Sequence, residues 1–513
     1  MISLLARVAG IVAVGAPVLA SASGADIQGT PGKPAPWLVA AGDRNLPLSR
    51  DALFDAPPAT DKSDKPATEK PAVDTPESRD ELFGIDAKTE QGSAPPSTAQ
   101  DEATSRWHGF FQTEFAYTYQ DPAHWSKTLG RLELGTEGRL GQDIHWKASG
   151  RLDYNAVYDL TNFYQDSVRD NQRLGLQFRE TYLDFAGGGL DWRVGRQQIV
   201  WGEMVGVFVA DVVSAKDLRE FVLPDFQVLR IPQWAARAEY FKDDFHAELI
   251  WIPVPSYDQI GKPKDFGQPG AGADFYPYPP TPSGYPVAFN NEVKPENRLS
   301  NTNYGLRLSQ MSNGWDVSGF FYSSMDSQPT FYRQLVAAPT PYFVYTPSHD
   351  RIRQAGGTLA KDLGSFVLKA EAVYTSGRSY NTLSASDIDG VVKQNTLDWI
   401  VGLDFNPSSQ TRINTQFYQR VYFDHDPNII PDRIENDVSL LVNHKLGNNW
   451  EAEALLVHSL NRSDWMFRPK VTWGFERNWR LAFGLDVFGG PPTGLFGQYD
   501  KQDRVYVELR RDF

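Results

Sequence analysis

The side chains with the most capacity for chemistry are gathered in one stretch, Gly195 to Trp234, where Arg196, Glu203, Asp211, Lys216, Asp217, Arg219, Glu220, Asp225 and Arg230 interrupt a largely apolar segment. Nucleophilic catalysis needs a nucleophile and a base held together, yet no serine sits in a G-x-S-x-G context and the histidines are scattered. His, Asp and Glu show no metal-ligand spacing, so neither a metal nor another cofactor is expected. What these residues can do is pair. Charges in an apolar setting seek opposite charges on whatever surrounds them, because unpaired burial is expensive. Pinned in that way, the stretch would form a constriction or a guide. Val207, Phe208, Val209, Phe221 and Phe226 would then form either a greasy track or a seal.

The surroundings must be strands. Leu190, Trp192 and Val194 alternate with polar neighbours before the stretch, and Trp234, Ala236, Ala238 and Tyr240 do so after it. Between them come an apolar run Met204 to Val213, a helix-like run Ser214 to Glu220 and a turn-forming Leu223-Pro224-Asp225. So hydrophobic a connection belongs inside a wall rather than in water. Alternating segments recur from about Trp107 to the last residue, the signature of a transmembrane β-barrel whose strands face a wet lumen on one side. The expectation is an all-β, antiparallel barrel of about 16 to 18 strands with an inward-folded central loop or helix, residues 201–232 narrowing the lumen.

Short turns such as Gly141-Gln142-Asp143, Gly187-Gly188-Gly189, Lys242-Asp243-Asp244, Ser312-Asn313-Gly314 and Gly447-Asn448-Asn449 alternate with longer connections, among them Pro253 to Leu299, Asp326 to His349 and Ser379 to Gln394. Outward tryptophans near strand ends, Trp146, Trp192, Trp234, Trp251, Trp315, Trp450 and Trp479, fit interfacial girdles. The inward alternates carry both signs, including Arg131, Arg151, Asp153, Lys369, Glu371, Asp398, Arg412, Arg420, Glu453 and Asp486. Such mixtures pair across neighbouring strands. Pro253 to Leu299 is dense in Pro, Gly and Tyr, suiting a stiff lid or a surface that catches an apolar or sugar-like ligand.

The rest of the chain supplies context. Arg7 precedes an apolar run, Val8 to Leu19, and Ala20-Ser21-Ala22, so residues 1–22 read as a signal peptide. Residues 23–105, rich in Pro, Ala, Asp, Lys, Thr and Glu, read as a disordered periplasmic tail. Within it S-R-D-x-L-F occurs twice, so Leu53, Phe54, Leu82 and Phe83 are candidates for docking a partner. Residues 106–513 are the barrel. Its last strand ends on Phe513 with Val505, Val507 and Leu509 on the same face, and resembles the signal read by the outer-membrane assembly machinery; Arg511 departs from it. Cysteine is absent, excluding disulfides and thiolate sites, and a net charge of -14 argues against nucleic-acid binding.

GRQQIVWGE, then DLREFVLPDF, then RIPQW, resemble a proteobacterial outer-membrane β-barrel family of unknown function, and the likeness runs from Trp107 to Phe513. The resemblance implies a place in the outer-membrane lipid bilayer beside a periplasmic lipoprotein-like protein and an inner-membrane efflux pump, and traffic of lipids or other hydrophobic molecules. It brings no catalytic residues. The leading expectation is therefore a channel or transporter of the Gram-negative cell outer membrane and not an enzyme. A structural, partner-docking barrel without an open pore is the alternative, ahead of a barrel-embedded hydrolase.

Overall fold

The computed structural model describes residues 106–202, 204, 209–337 and 339–513. The expected signal peptide, the expected tail with Leu53, Phe54, Leu82 and Phe83, and Glu203, Val207 and Phe208 within the central stretch lie outside the described residues.

Eighteen strands form one antiparallel sheet that closes on itself. The first nine are β1 Arg106–Thr118, β2 His124–Leu140, β3 Ile144–Asn155, β4 Leu174–Gly187, β5 Leu190–Gln197, β6 Gln233–Lys242, β7 Phe245–Val254, β8 Asn303–Ser312 and β9 Trp315–Met325. The rest are β10 Arg351–Asp362, β11 Val367–Asn381, β12 Val391–Ser408, β13 Thr411–Phe423, β14 Ile434–Lys445, β15 Trp450–Ser459, β16 Trp465–Glu476, β17 Trp479–Gly489 and β18 Arg504–Asp512. Each pairs with the next, and β18 pairs with β1. Gly109 and Phe513 exchange backbone hydrogen bonds of 2.8 and 2.9 Å at the seam, so the terminal phenylalanine is part of the closure. The strand count falls at the upper end of the expected range.

Period two decides the two faces. On β1, Phe111 and Phe115 are exposed outward, while Gln112, Glu114, Ala116 and Thr118 are buried inside. Trp315, Trp450 and Trp479 open their strands at the short-turn end, and Trp146 and Trp192 lie within two residues of theirs. Trp234 and Trp251 mark the opposite rim. Arg511, the departure from the terminal-strand pattern, stands 5.3 Å over the Trp479 ring on the neighbouring strand, which accommodates its charge at the rim.

Inside, the mixed charges pair as neighbours: Arg131 with Asp153 at 2.7 Å, Lys470 with Glu453 at 3.1 Å, Arg420 with Asp398 at 2.5 Å, and Arg412 with Asp404. The short-turn end holds hairpins, and the opposite end holds the long connections. Two expected boundaries shift. The loop expected over Ser379 to Gln394 is shorter, because β11 runs to Asn381 and β12 starts at Val391. The helix-like run Ser214 to Glu220 is not a helix: Ala215–Lys216 pairs antiparallel with Arg230–Ile231, and Asp217 bridges to Gln259. Pairing with chain distant in sequence outweighs the local preference there. Among the described residues of the stretch, the one helical turn is Phe226–Leu229.

At the long-loop end, Thr330–Val336, Tyr342–Ser348 and Val287–Phe289 make a small three-stranded sheet. Tyr158, Tyr164, Tyr276, Phe331 and Phe343 form a separate aromatic core around it. The Pro- and Tyr-rich connection is thus built as a packed cap.

Candidate functional site

The chain leaves β5 at Gln197, enters the lumen and returns to the wall at Gln233. What holds it there is a set of wall side chains that reach its backbone. Glu371, an inward position on β11 and buried, accepts hydrogen bonds from the backbone N–H groups of Met204 (2.7 Å), Val209 (3.0 Å) and Ala210 (2.7 Å). A carboxylate cradled by three amides is a strong anchor, because each charge-assisted bond is worth roughly 1.5–3 kcal/mol. From the other side, Arg151 on β3 donates to the Val228 carbonyl at 2.8 Å. Arg179 on β4 donates to the carbonyls of Arg230 (2.7 Å) and Gln227 (2.5 Å). Arg468 on β16 donates to those of Val222 (3.3 Å) and Leu223 (2.7 Å). Three arginines on three strands thereby satisfy carbonyls that an irregular buried segment would otherwise leave unpaired.

The insert's own charges complete the clamp. Glu220 lies 2.7 Å from Lys127 and 3.5 Å from Arg504. Burial alone would raise its carboxyl, but Lys127 and then Arg504 hold it below the usual range. Asp217 lies 2.7 Å from Arg219 and 3.9 Å from Arg151. Burial pushes its carboxyl up, and the Arg219 guanidinium overrides this and holds it at about 2. Arg219 also donates to the Asn171 carbonyl at 2.8 Å, tying the insert to the β3–β4 connection. Asp211 and Arg230 pair within the insert at 3.1 Å, with Arg230 stacked 3.5 Å over Phe226. Asp225 faces Arg510 of β18 at 3.9 Å.

Apolar packing fills the remaining space. Phe221 sits in a cluster with Phe275, Phe488, Phe496 and Tyr499, with ring centroids 5.0–6.5 Å away. Its φ of 53° is left-handed, a conformation that costs a side-chain-bearing residue roughly 1–3 kcal/mol and that the four-ring cage enforces. Val209, Phe221 and Phe226 are all buried in one continuous apolar core. Trp201 is wholly buried against Phe320 and Tyr322. It fits because Gly305 on β8 has no side chain; a Cβ there would stand 2.6 Å from the indole.

Of the residues singled out in the sequence, the structure brings Asp211, Asp217, Arg219, Glu220, Phe221, Asp225 and Arg230 together, and Glu203 lies outside the described residues. Arg196 does not join them. Its cross-strand neighbours are Thr181 and Trp234, so by register it continues the outward face of Leu190, Trp192 and Val194. Lys127, Arg179, Arg468 and Asp258 were not legible as anchors. Asp258 accepts the Lys216 N–H at 2.7 Å. The signal of the first three was only a charge at an inward position, shared with many wall residues that pair with one another, and Asp258 was one charge in the long connection after β7. The fold also assembles a group that has no ligand spacing in sequence: Glu239, His246 and Glu248 offer ligand atoms within 4.8 Å of one another. Arg237 lies 2.7 Å from Glu239 and 3.1 Å from Glu248, so a cationic side chain already pairs with both carboxylates.

Among solved structures, the chain is similar to Acinetobacter baumannii OccAB1 (10% identity, TM-score 0.48, covering 81% of this chain and 99% of that one). It is also similar to Pseudomonas aeruginosa OccK8 (OprE) (9%, 0.44, 80% and 97%) and to Salmonella typhi OmpF in complex with daunomycin (10%, 0.37, 80% and 98%). No curated protein matches the sequence. Residues 87–512, almost the whole barrel and the approach to it, match the family described as protein of unknown function (DUF1302), and the chain belongs to that family.

Proposed function

We propose that the chain is an outer-membrane channel of a Gram-negative bacterium that passes hydrophobic or lipid-like small molecules, with the central insert as its constriction. The observation that carries this reading is the clamp: Glu371, Arg151, Arg179 and Arg468 converge from four strands on the backbone of one segment spanning the lumen. A wall needs no such device for its own stability. A membrane seat is supported by the exposed outward Leu and Phe residues between two tryptophan rims; both barrel termini lie at the short-turn end, which in this reading faces the periplasm. An apolar cargo is supported by the lining of a narrow crevice beside the insert, formed by Leu218, Phe221, Val222, Ile260, Phe275, Pro277 and Tyr499. The paired charges of the wall support it too, since a polyanion route would call for unpaired arginines. In this reading the periplasmic tail docks an efflux partner through Leu53, Phe54, Leu82 and Phe83.

Single-channel conductance in a planar bilayer tests it. The intact chain is expected to be nearly silent, and a chain lacking residues 214–228 to show a large, stable conductance. The tight seal also suits a structural barrel without a pore. Silence of both proteins, with the deletion folded as a barrel, selects that reading.

A further inference from the structure

The barrel wall is not equally tall all round. β4 has fourteen residues, whereas its neighbour β5 has eight and β6 and β7 have ten each. Pairing between β4 and β5 runs only from Thr181 opposite Arg196 to Gly187 opposite Leu190. The upper half of β4, Leu174 to Glu180, pairs with β3 on one side, and among the described residues no strand pairs with its other edge. The outward side chains register the gap. Leu174, Leu176 and Phe178 are 62, 76 and 69% exposed, against 37–41% for Leu134, Leu440 and Leu456, which have strands on both sides. An unpaired edge with an apolar face is a liability in water and in lipid alike.

We propose that this edge of β4 is a lateral door through which an acyl-chain amphiphile moves between the bilayer and the lumen. Two features carry the inference. The outward face of the edge is continuous with the apolar band of β4, so the molecule meeting it is lipid. On its inward side, Gln177 touches Gln259 at 3.5 Å, a contact at the weak limit of a hydrogen bond. The Gln259 carbonyl accepts the Leu218 N–H at 2.7 Å, and Leu218 lines the apolar crevice beside the insert. Edge, latch and crevice are thus linked through Gln177 and Gln259, with Arg151 also donating to the Gln177 side-chain oxygen at 3.1 Å. The door rests on the reading of the chain as a carrier of apolar molecules and gives that reading a route.

Because the chain has no cysteine, single-cysteine variants can carry one thiol fluorophore each. The probe is phosphatidylcholine vesicles containing phosphatidylcholine with an acyl-chain nitroxide, which quenches only labels that hydrocarbon can reach. Leu176→Cys reports the lipid-facing side. Gln177→Cys reports the inward side of the free edge, and Gln416→Cys the inward side of β13, which has β12 and β14 on its two sides. Gln177→Cys is expected to be quenched nearly as strongly as Leu176→Cys and severalfold more than Gln416→Cys. Adding Gln259→Ala, which removes the latch, is expected to raise it further. Gly175→Cys, the preceding inward position on the edge, repeats the measurement if Gln177→Cys does not fold as a barrel. Quenching no greater than at Gln416→Cys overturns the door, and so does a shielded Leu176→Cys, which would mean that another chain covers the edge. If the door fails while the insert deletion still conducts, passage is axial and the channel reading stands. If quenching is seen and the deletion is silent, the door stands and the ion-channel reading falls.

Discussion

The wall and the insert are built from similar residue types and held in opposite ways. In the wall each backbone group finds its partner on the next strand, and side chains only choose which face looks at lipid. In the insert the backbone has few partners of its own, and the side chains of distant strands supply them: a carboxylate for the amides at one end, guanidinium groups for the carbonyls at the other. A ladder distributes its stability over many equivalent bonds. A clamp concentrates it in a few, so release of the insert without unfolding of the barrel is the expectation to test.

The largest effect should come from the anchor with no substitute. Glu371→Ala leaves three buried amides unpaired, and at roughly 1–3 kcal/mol per orphaned group the first leg of the insert should detach. The expected readouts are frequent conductance bursts and rapid hydrogen exchange at Val209 and Ala210, with the barrel's thermal transition nearly unchanged. A collapse of the whole barrel would show that clamp and ladder are one cooperative unit.

Next is the arginine side. Arg179→Met keeps much of the volume but frees the Gln227 and Arg230 carbonyls. Partial opening, less than with Glu371→Ala, is expected because Arg151 still holds Val228. Adding Arg151→Met should then open the channel by more than the two single changes combined, since the two side chains grip the same short segment. Simple additivity would mean that they act independently.

Acid provides a smaller perturbation. The Asp217 carboxyl is held at about 2, below its ordinary 3.8, so its contribution is present in full above about pH 4 and lost as the pH falls through about 2. At about 1.4 kcal/mol per unit this amounts to roughly 2 kcal/mol. Conductance of the intact chain should therefore rise between pH 4 and 2, and Asp217→Asn should remove that part of the rise. A rise unaffected by Asp217→Asn would place the acid sensitivity on other carboxylates.

The same contrast explains what could be read in advance. Period two carried the strands, the faces, the tryptophan rims and the terminal Phe513, because a ladder repeats its rule at each residue. The charged, apolar composition of Gly195 to Trp234 was enough to place it inside. Its internal form was not legible, since Ala215–Lys216 takes its shape from pairing with Arg230–Ile231 and from Asp258, and no local pattern announces either. Arg196 shows the opposite failure: its charge suggested the lumen, while simple alternation from Trp192 and Val194 already put it outside. Glu371 and Lys369 had equal claims by sequence, and only the meeting of Glu371 with three amides separates them.

The smallest effect is expected at the barrel seam. Arg511 faces outward on β18, where a charge in hydrocarbon would be costly, but its strand end lies at the rim and its guanidinium covers the Trp479 ring. Arg511→Ala removes a contact worth roughly 0.5–1 kcal/mol at an exposed site. The refolding yield into vesicles should stay near that of the parent, with a drop of only a few degrees in the temperature at which the folded band is lost on gels. A large loss of yield would mean that Arg511 helps the seam between β18 and β1 to close, and the wall would then, at this one place, depend on a side chain as the insert does.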